Sequence, residues 1–138
     1  MKLKHSEITE KIIKAFYEVY NELGSGFLES VYESALAIVL KDFGLMVECQ
    51  KEIPVFFRGQ SLGLFRADLV INNKVILELK AVKTLSPVHE AQLLNYLKAT
   101  DIEVGLLINF GQKPSFKRFV FENSRKRIRV EPRDSAAN

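Results

Sequence analysis

Phe65–Lys80, FRADLVINNKVILELK, is the stretch whose reading decides the fold. Leu69, Val70 and Ile71 precede Asn72 and Asn73, and Val75, Ile76 and Leu77 follow them, so the segment reads as two strands joined by a tight turn. Strands of this composition are buried. Asp68, Glu78 and Lys80 nonetheless interrupt the apolar run, and such charges stay buried only when they are paired or bind a metal. Alternation along a strand puts Ile76, Glu78 and Lys80 on one face, with Glu78 and Lys80 about 7 Å apart. A plain two-residue turn at Asn72-Asn73 sets Ala67 opposite Glu78 and points Asp68 away. Convergence of the three polar residues therefore requires a three-residue loop, or a bulge near Asp68 of the kind that re-aims side chains next to active sites.

Two converging carboxylates suit Mg²⁺ or Mn²⁺, hard cations that prefer carboxylate, carbonyl and water ligands. Asp68 and Glu78 are the candidate ligands, and the backbone carbonyl of Leu79 between Glu78 and Lys80 is a third. Lys80 beside such an ion is placed to position or deprotonate an attacking water. The alternative on spacing alone is a salt bridge between Lys80 and one of the acids on a solvated sheet face. Arg66 is read as sharing Asp68's face, where it contacts a phosphate or neutralises the acids.

Downstream, Ser86-Pro87 opens a helix reaching about Ala99, with serine as N-cap and proline at the first helical position. Ala91, Leu94 and Leu97 are its expected core stripe, while His89, Gln92 and Tyr96 share another face. His89 alone reads as solvent-exposed. Ile102–Phe110, IEVGLLINF, is a nearly continuous apolar run, as expected of a strand covered on both sides. Strand, helix and strand then form a βαβ crossover, with Val75–Lys80 and Glu103–Ile108 parallel neighbours. Another strand is expected at Phe116–Phe121 and a short one at Ile128–Val130.

Upstream, Ser6–Leu23 carries apolar residues at spacings of three and four and reads as an amphipathic helix with Ser6 as N-cap. Gly24-Ser25-Gly26 connects it to a second helix, about Phe27 to Phe43, whose expected stripe is Leu28, Val31, Tyr32, Ala35, Leu36, Val39 and Phe43. Glu29 lies at the edge of that stripe, where a first-turn acid complements the helix dipole; Glu33 competes with it on nearly the same face. Met46–Phe57 is strand-like, and Pro54 marks that strand as an edge or a bent one.

The chain has 138 residues, 47% of them hydrophobic and 27% charged, enough for one domain with a core of its own. The expected division is a core over about 6–122 and a basic tail over 123–138. Cys49 is the only cysteine, which excludes an internal disulfide and a CxxC site. No apolar run is long enough to span a bilayer and the first residues lack a signal-peptide core, so a soluble, cytoplasmic protein with no membrane partner is expected. The net charge is +3. Basic residues gather late, Lys117 and Arg118 among them, while Glu7, Glu10, Glu18, Glu22, Glu29 and Glu33 lie early. That asymmetry fits a phosphodiester partner beside an acidic metal pocket, and equally fits a solvated tail.

Asp68 followed by Glu78-x-Lys80 resembles the PD-(D/E)xK nuclease superfamily, with Ala67 where the name-giving proline would stand. Gly26-Phe-Leu-Glu29-Ser-Val-Tyr32 is similar to the motif of its GxxExxY branch, and Gln92-x-x-x-Tyr96 to the QxxxY motif of RecB-like nucleases. The resemblance implies an α/β (α+β) protein with a restriction-endonuclease-like core, a central mixed sheet flanked by helices in αβββαβ order. It also implies divalent-metal-dependent hydrolysis of nucleic acid, DNA in the first place, with Glu29 reaching the metal directly or through water and with Gln92 and Tyr96 supporting Lys80 or binding DNA. Arg66, Lys117 and Arg118 are the candidate nucleic-acid contacts. Cutting two strands needs two sites, which makes a homodimer an expectation too. The competing function is a nucleic-acid- or partner-binding module that keeps the fold without cleaving; a purely structural, salt-bridged domain is the third reading.

Overall fold

Val104–Asn109 is apolar except at its last residue, and all six of its residues are buried. Such a strand needs cover on both faces. In a computed structural model, which describes residues 3–126, this strand (β4) has helices α1 (Ser6–Leu23) and α2 (Glu29–Asp42) on one side of its sheet and α3 (Pro87–Lys98) on the other. The sheet is completed by β1 (Val47–Phe57), β2 (Gln60–Ile71), β3 (Val75–Lys80) and β5 (Ser115–Val120), in the linear order β1-β2-β3-β4-β5. All neighbours are antiparallel except β3 and β4, which are parallel and joined through α3 as the crossover reading requires. The expected strand at Ile128–Val130 lies outside the described residues.

The hairpin at the centre has the three-residue loop, one of the two arrangements that convergence allows. Ile71 pairs with Val75 across Asn72, Asn73 and Lys74, and the register continues through Val70–Ile76 to Leu69–Leu77. Asn72 and Asn73 both take positive φ (52° and 55°), which asparagine tolerates better than most residues. The Asn72 side chain also accepts the Met46 N–H at 2.8 Å, tying the loop to the start of β1. Extending the register by one residue sets Asp68 opposite Glu78.

At Asp68 the alternation of faces breaks. Leu69 and Ile71 pack with the α1/α2 core and Val70 with the α3 core, as a regular strand requires. Ala67 and Phe65, of the same parity as Leu69, pack with the α3 core instead. On β1, Val47 likewise belongs to the first core and Ile53 to the second. Cys49 pairs with Leu69 and Lys51 with Ala67, so Gln50 and Asp68 drop out of the ladder together and the register is kept; the shift in register falls between Val55 and Phe56. Gln50 sits in the left-handed region, φ 50°.

Three helix expectations are corrected. Ser6 is the first helical residue of α1, and the N-cap position belongs to His5. The buried side of α2 is Tyr32, Leu36, Ala37 and Leu40, while Leu28 and Val31 are exposed, because the helix begins only at Glu29 and packs through its i, i+4 row. On α3 the buried residues are Leu93 and Leu97, not Ala91 and Leu94. The cause lies in β4: Gly105 leaves a hollow that Leu93 fills, since a Cβ there would stand 3.0 Å from a Leu93 methyl. Seating Leu93 turns Tyr96 toward the sheet. His89 is half-buried and its Nδ1 accepts the Ser86 N–H at 3.3 Å, so it braces the helix start.

Two fastenings set the ends of β3 and β4. Asn109 is buried, and its amide both accepts the Val82 N–H (2.9 Å) and donates to the Val82 carbonyl (2.8 Å), fixing the chain two residues beyond Lys80. Gly111 passes so close that a Cβ would meet the Val82 carbonyl oxygen at 2.1 Å. Backbone cannot retreat as a side chain does, so Gly111→Ala is expected to cost about 2 kcal/mol or more; the shift in its urea midpoint measures this. Tyr32 stacks on Phe110 (centroids 4.3 Å apart), its hydroxyl donates to the Gly24 carbonyl at 2.6 Å, and it accepts the Phe27 N–H at 3.2 Å. It is a buried clamp on the α1–α2 connection. Tyr32→Phe should destabilise the fold by about 1–3 kcal/mol while leaving the aromatic stack, again read by denaturant unfolding.

Candidate active site

β3 runs three residues, Glu78, Leu79 and Lys80, beyond its pairing with β2, and this mismatch creates the site. Beyond Leu69–Leu77 the β2 backbone no longer meets β3, and the Leu79 N–H is taken by the Asp68 carboxylate (Oδ2) at 2.8 Å. A residue's N–H and C=O point to the same edge of a strand, so the Leu79 carbonyl belongs to the same edge. Glu78 faces α3, and its Oε1 is buried with no hydrogen-bond partner among the described residues. Burial pushes the Glu78 carboxyl up to about 9; the negative charge of Asp68 and a carboxyl–carboxyl hydrogen bond to it push the same way, and Lys80 pulls it down. Two acids set side by side, one with a buried oxygen that has no hydrogen-bond partner among the described residues, suit a cation.

Tyr96 reaches this site from α3. Its ring stacks on Phe65 of β2, centroids 3.8 Å apart and planes 8° from parallel, and its hydroxyl accepts the Gln92 side-chain N–H at 2.7 Å. Burial raises the Tyr96 phenol, the charge of Glu78 raises it further, the Gln92 hydrogen bond opposes this, and Asp68 adds to the rise. Gln92 and Tyr96 are thus bound to each other and set beside the acid pair.

Other sequence candidates lie elsewhere. Glu29 is exposed in the first turn of α2, without a seen interaction with Asp68 or Glu78. Glu33, one turn on, is the acid that faces β1: its Oε1 accepts the Gln50 side-chain N–H at 2.5 Å, and Gln50 also approaches Asp68 Oδ1 at 3.4 Å. Burial raises the Glu33 carboxyl, Gln50 opposes this, and Asp68 adds to the rise. Arg66 pairs with Glu52 of β1 at 3.3 Å instead of lying against the acids, because the break at Asp68 puts the two residues in different surroundings. Lys117 pairs with Glu90 at 2.8 Å. Arg118 donates to the Lys4 carbonyl and is half-buried. Gln50, Asn109 and Gly111 escaped the sequence reading. The only signal for Asn109 was a polar residue inside IEVGLLINF, and Gln50 had none.

The donor set fits a hard divalent cation. Among the described residues no three His, Cys, Asp or Glu side chains form a metal cluster, so the protein offers two carboxylates and backbone. Mg²⁺ is commonly held in that way, by one or two carboxylates with several waters retained.

A mixed five-stranded sheet flanked by helices, with an acid pair and a lysine where β2 and β3 part, defines a restriction-endonuclease-like protein. The sequence model of the PD-(D/E)XK nuclease superfamily matches residues 6–119, and the chain belongs to that superfamily. Nucleases of this superfamily typically use divalent metals such as Mg²⁺. A solved structure described as "Crystal structure of SSO0001" is similar over 99% of this chain and 73% of its own, with 22% identity and a TM-score of 0.51, a likeness of fold. No curated protein matches the chain. Among the described residues no helix is long and apolar enough to cross a membrane.

Proposed function

We propose that the protein is a divalent-metal-dependent nuclease of the GxxExxY branch that hydrolyses phosphodiester bonds in DNA. One observation carries this reading: the buried Oε1 of Glu78, without a hydrogen-bond partner among the described residues, beside Asp68 and with Lys80 on the same strand face. Asp68, Glu78 and the Leu79 carbonyl hold the ion, and Glu29, exposed in the first turn of α2, assists through water. A bound Mg²⁺ or Mn²⁺ supplies charge neutralisation at the scissile phosphate and a more acidic water. Lys80 positions that water and takes or returns its proton; Gln92, through Tyr96, holds the α3 side of the site. Arg66 and Lys117 contact the nucleic-acid backbone, since exposed ion pairs such as theirs with Glu52 and Glu90 are weak and exchange readily for phosphate. On double-stranded DNA the protein acts as a homodimer, one site for each strand.

The test is cleavage of labelled single- and double-stranded DNA and RNA with Mg²⁺ or Mn²⁺, beside EDTA. Metal-dependent cleavage of DNA is the expected result. Inactivity on every polymer, with Mn²⁺ still bound through Glu78, would replace this reading by that of a binding module.

A further inference from the structure

We infer that Gln50 is a positioning residue for the Asp68 carboxylate, and hence for the metal site proposed above, on which this inference rests. Three independent features meet at this residue. Gln50 holds a left-handed backbone, φ 50°, inside a strand, where a residue with a Cβ is strained and persists only if its surroundings compel it. It faces Asp68 across the one position where β1 and β2 both leave the ladder, between Cys49–Leu69 and Lys51–Ala67. Its side-chain amide then bridges two carboxylates, Glu33 Oε1 at 2.5 Å and Asp68 Oδ1 at 3.4 Å.

An amide nitrogen has two hydrogens, one for each acid. Glu33 takes the shorter bond and anchors the amide to α2, and the amide holds Asp68 from the β1 side. The Leu79 N–H holds the other Asp68 oxygen, Oδ2, from the β3 side. Both oxygens of Asp68 are thereby tethered and the plane of its carboxylate is set before any cation arrives. Groups that orient a metal ligand in this way typically change metal affinity by about 10–100-fold when removed. The backbone strain at Gln50 is what directs its side chain inward toward the acids, where regular alternation would not.

The test uses Mn²⁺ alone as probe, with binding measured on the full chain in the absence of nucleic acid, and thermal unfolding in EDTA recorded in parallel. Gln50→Gly removes the amide while accepting φ 50° without strain. Its Mn²⁺ dissociation constant should rise about 10–100-fold, with an unfolding temperature at or above wild type. In an Asp68→Asn background the same substitution should change Mn²⁺ binding less than about twofold, since its effect runs through Asp68. Unchanged Mn²⁺ affinity in Gln50→Gly overturns the inference alone. So does a weakened affinity that comes with a collapsed unfolding temperature, or one that recurs at full size in the Asp68→Asn background. Wild-type protein that binds no Mn²⁺ overturns the metal site and this inference together.

Discussion

Glu78→Ala and Lys80→Ala are each expected to reduce metal-dependent cleavage by about 10²–10⁴-fold, for different reasons that two measurements separate. Glu78 is a proposed ligand whose buried oxygen has no hydrogen-bond partner among the described residues, so its removal should also weaken Mn²⁺ binding. Lys80 stands on the same face of β3 and is proposed to handle the water's proton, so Lys80→Ala should keep its Mn²⁺ affinity and lose turnover. The acid limb of the pH–rate profile should follow the site's ionisation in wild type. If Lys80→Ala cleaved at the wild-type rate, the lysine would be a counter-charge to the acid pair and nothing more.

The second large effect runs opposite to the usual outcome of a site mutation: Glu78→Gln should stabilise the metal-free protein. Burial, reinforced by Asp68, raises the Glu78 carboxyl from 4.5 to about 9, so between those values the folded chain binds a proton that the unfolded chain has released. Stability should therefore fall as pH rises from about 5 to 9, and holding the carboxyl protonated at pH 7 costs the fold at most about 3 kcal/mol relative to an unperturbed acid. Glutamine carries no such titration. In EDTA the unfolding temperature of wild type should drop between pH 5.5 and pH 8 while that of Glu78→Gln stays nearly flat, leaving the variant about 1–3 kcal/mol more stable at the higher pH. Mg²⁺ should close the gap by stabilising wild type only, by about 2.7 kcal/mol at a hundred times its dissociation constant. Parallel pH curves for the two proteins would show that Glu78 is not the group that strains the fold. Activity and stability thus trade against each other at one residue, as expected where like charges are assembled ahead of a ligand.

The central hairpin was legible because its logic is local. Asp68 and Glu78 can share a face only with a three-residue loop or a bulge near Asp68, and Ile71–Val75 pairing shows the three-residue loop. The crossover was legible too: Ser86-Pro87 opens α3, and the apolar run after it could only be a covered strand, parallel to β3. Helix faces were less so. Leu93 outranks Leu94 on α3 because Gly105, on a different strand, leaves room for it, and no periodicity within Pro87–Lys98 carries that information. Tyr32 was legible as a stripe residue of α2, but its contacts with Gly24, Phe27 and Phe110, which make it a clamp on the loop before α2, were not.

What the sequence determined by itself is the set of elements and the meeting of Asp68, Glu78 and Lys80, since strand parity, turn length and capping act over a few residues. What tertiary structure decided is the environment of that meeting: the bridge from Glu33 through Gln50 to Asp68, the Phe65–Tyr96 stack, and the grip of Asn109 on Val82. Glutamine has no local preference for φ 50°, so its backbone there is imposed by two strands leaving their ladder at once and by carboxylates from α2 and β2. Contacts between distant segments depend on which surfaces meet, and that is settled only when the whole sheet and its helices pack.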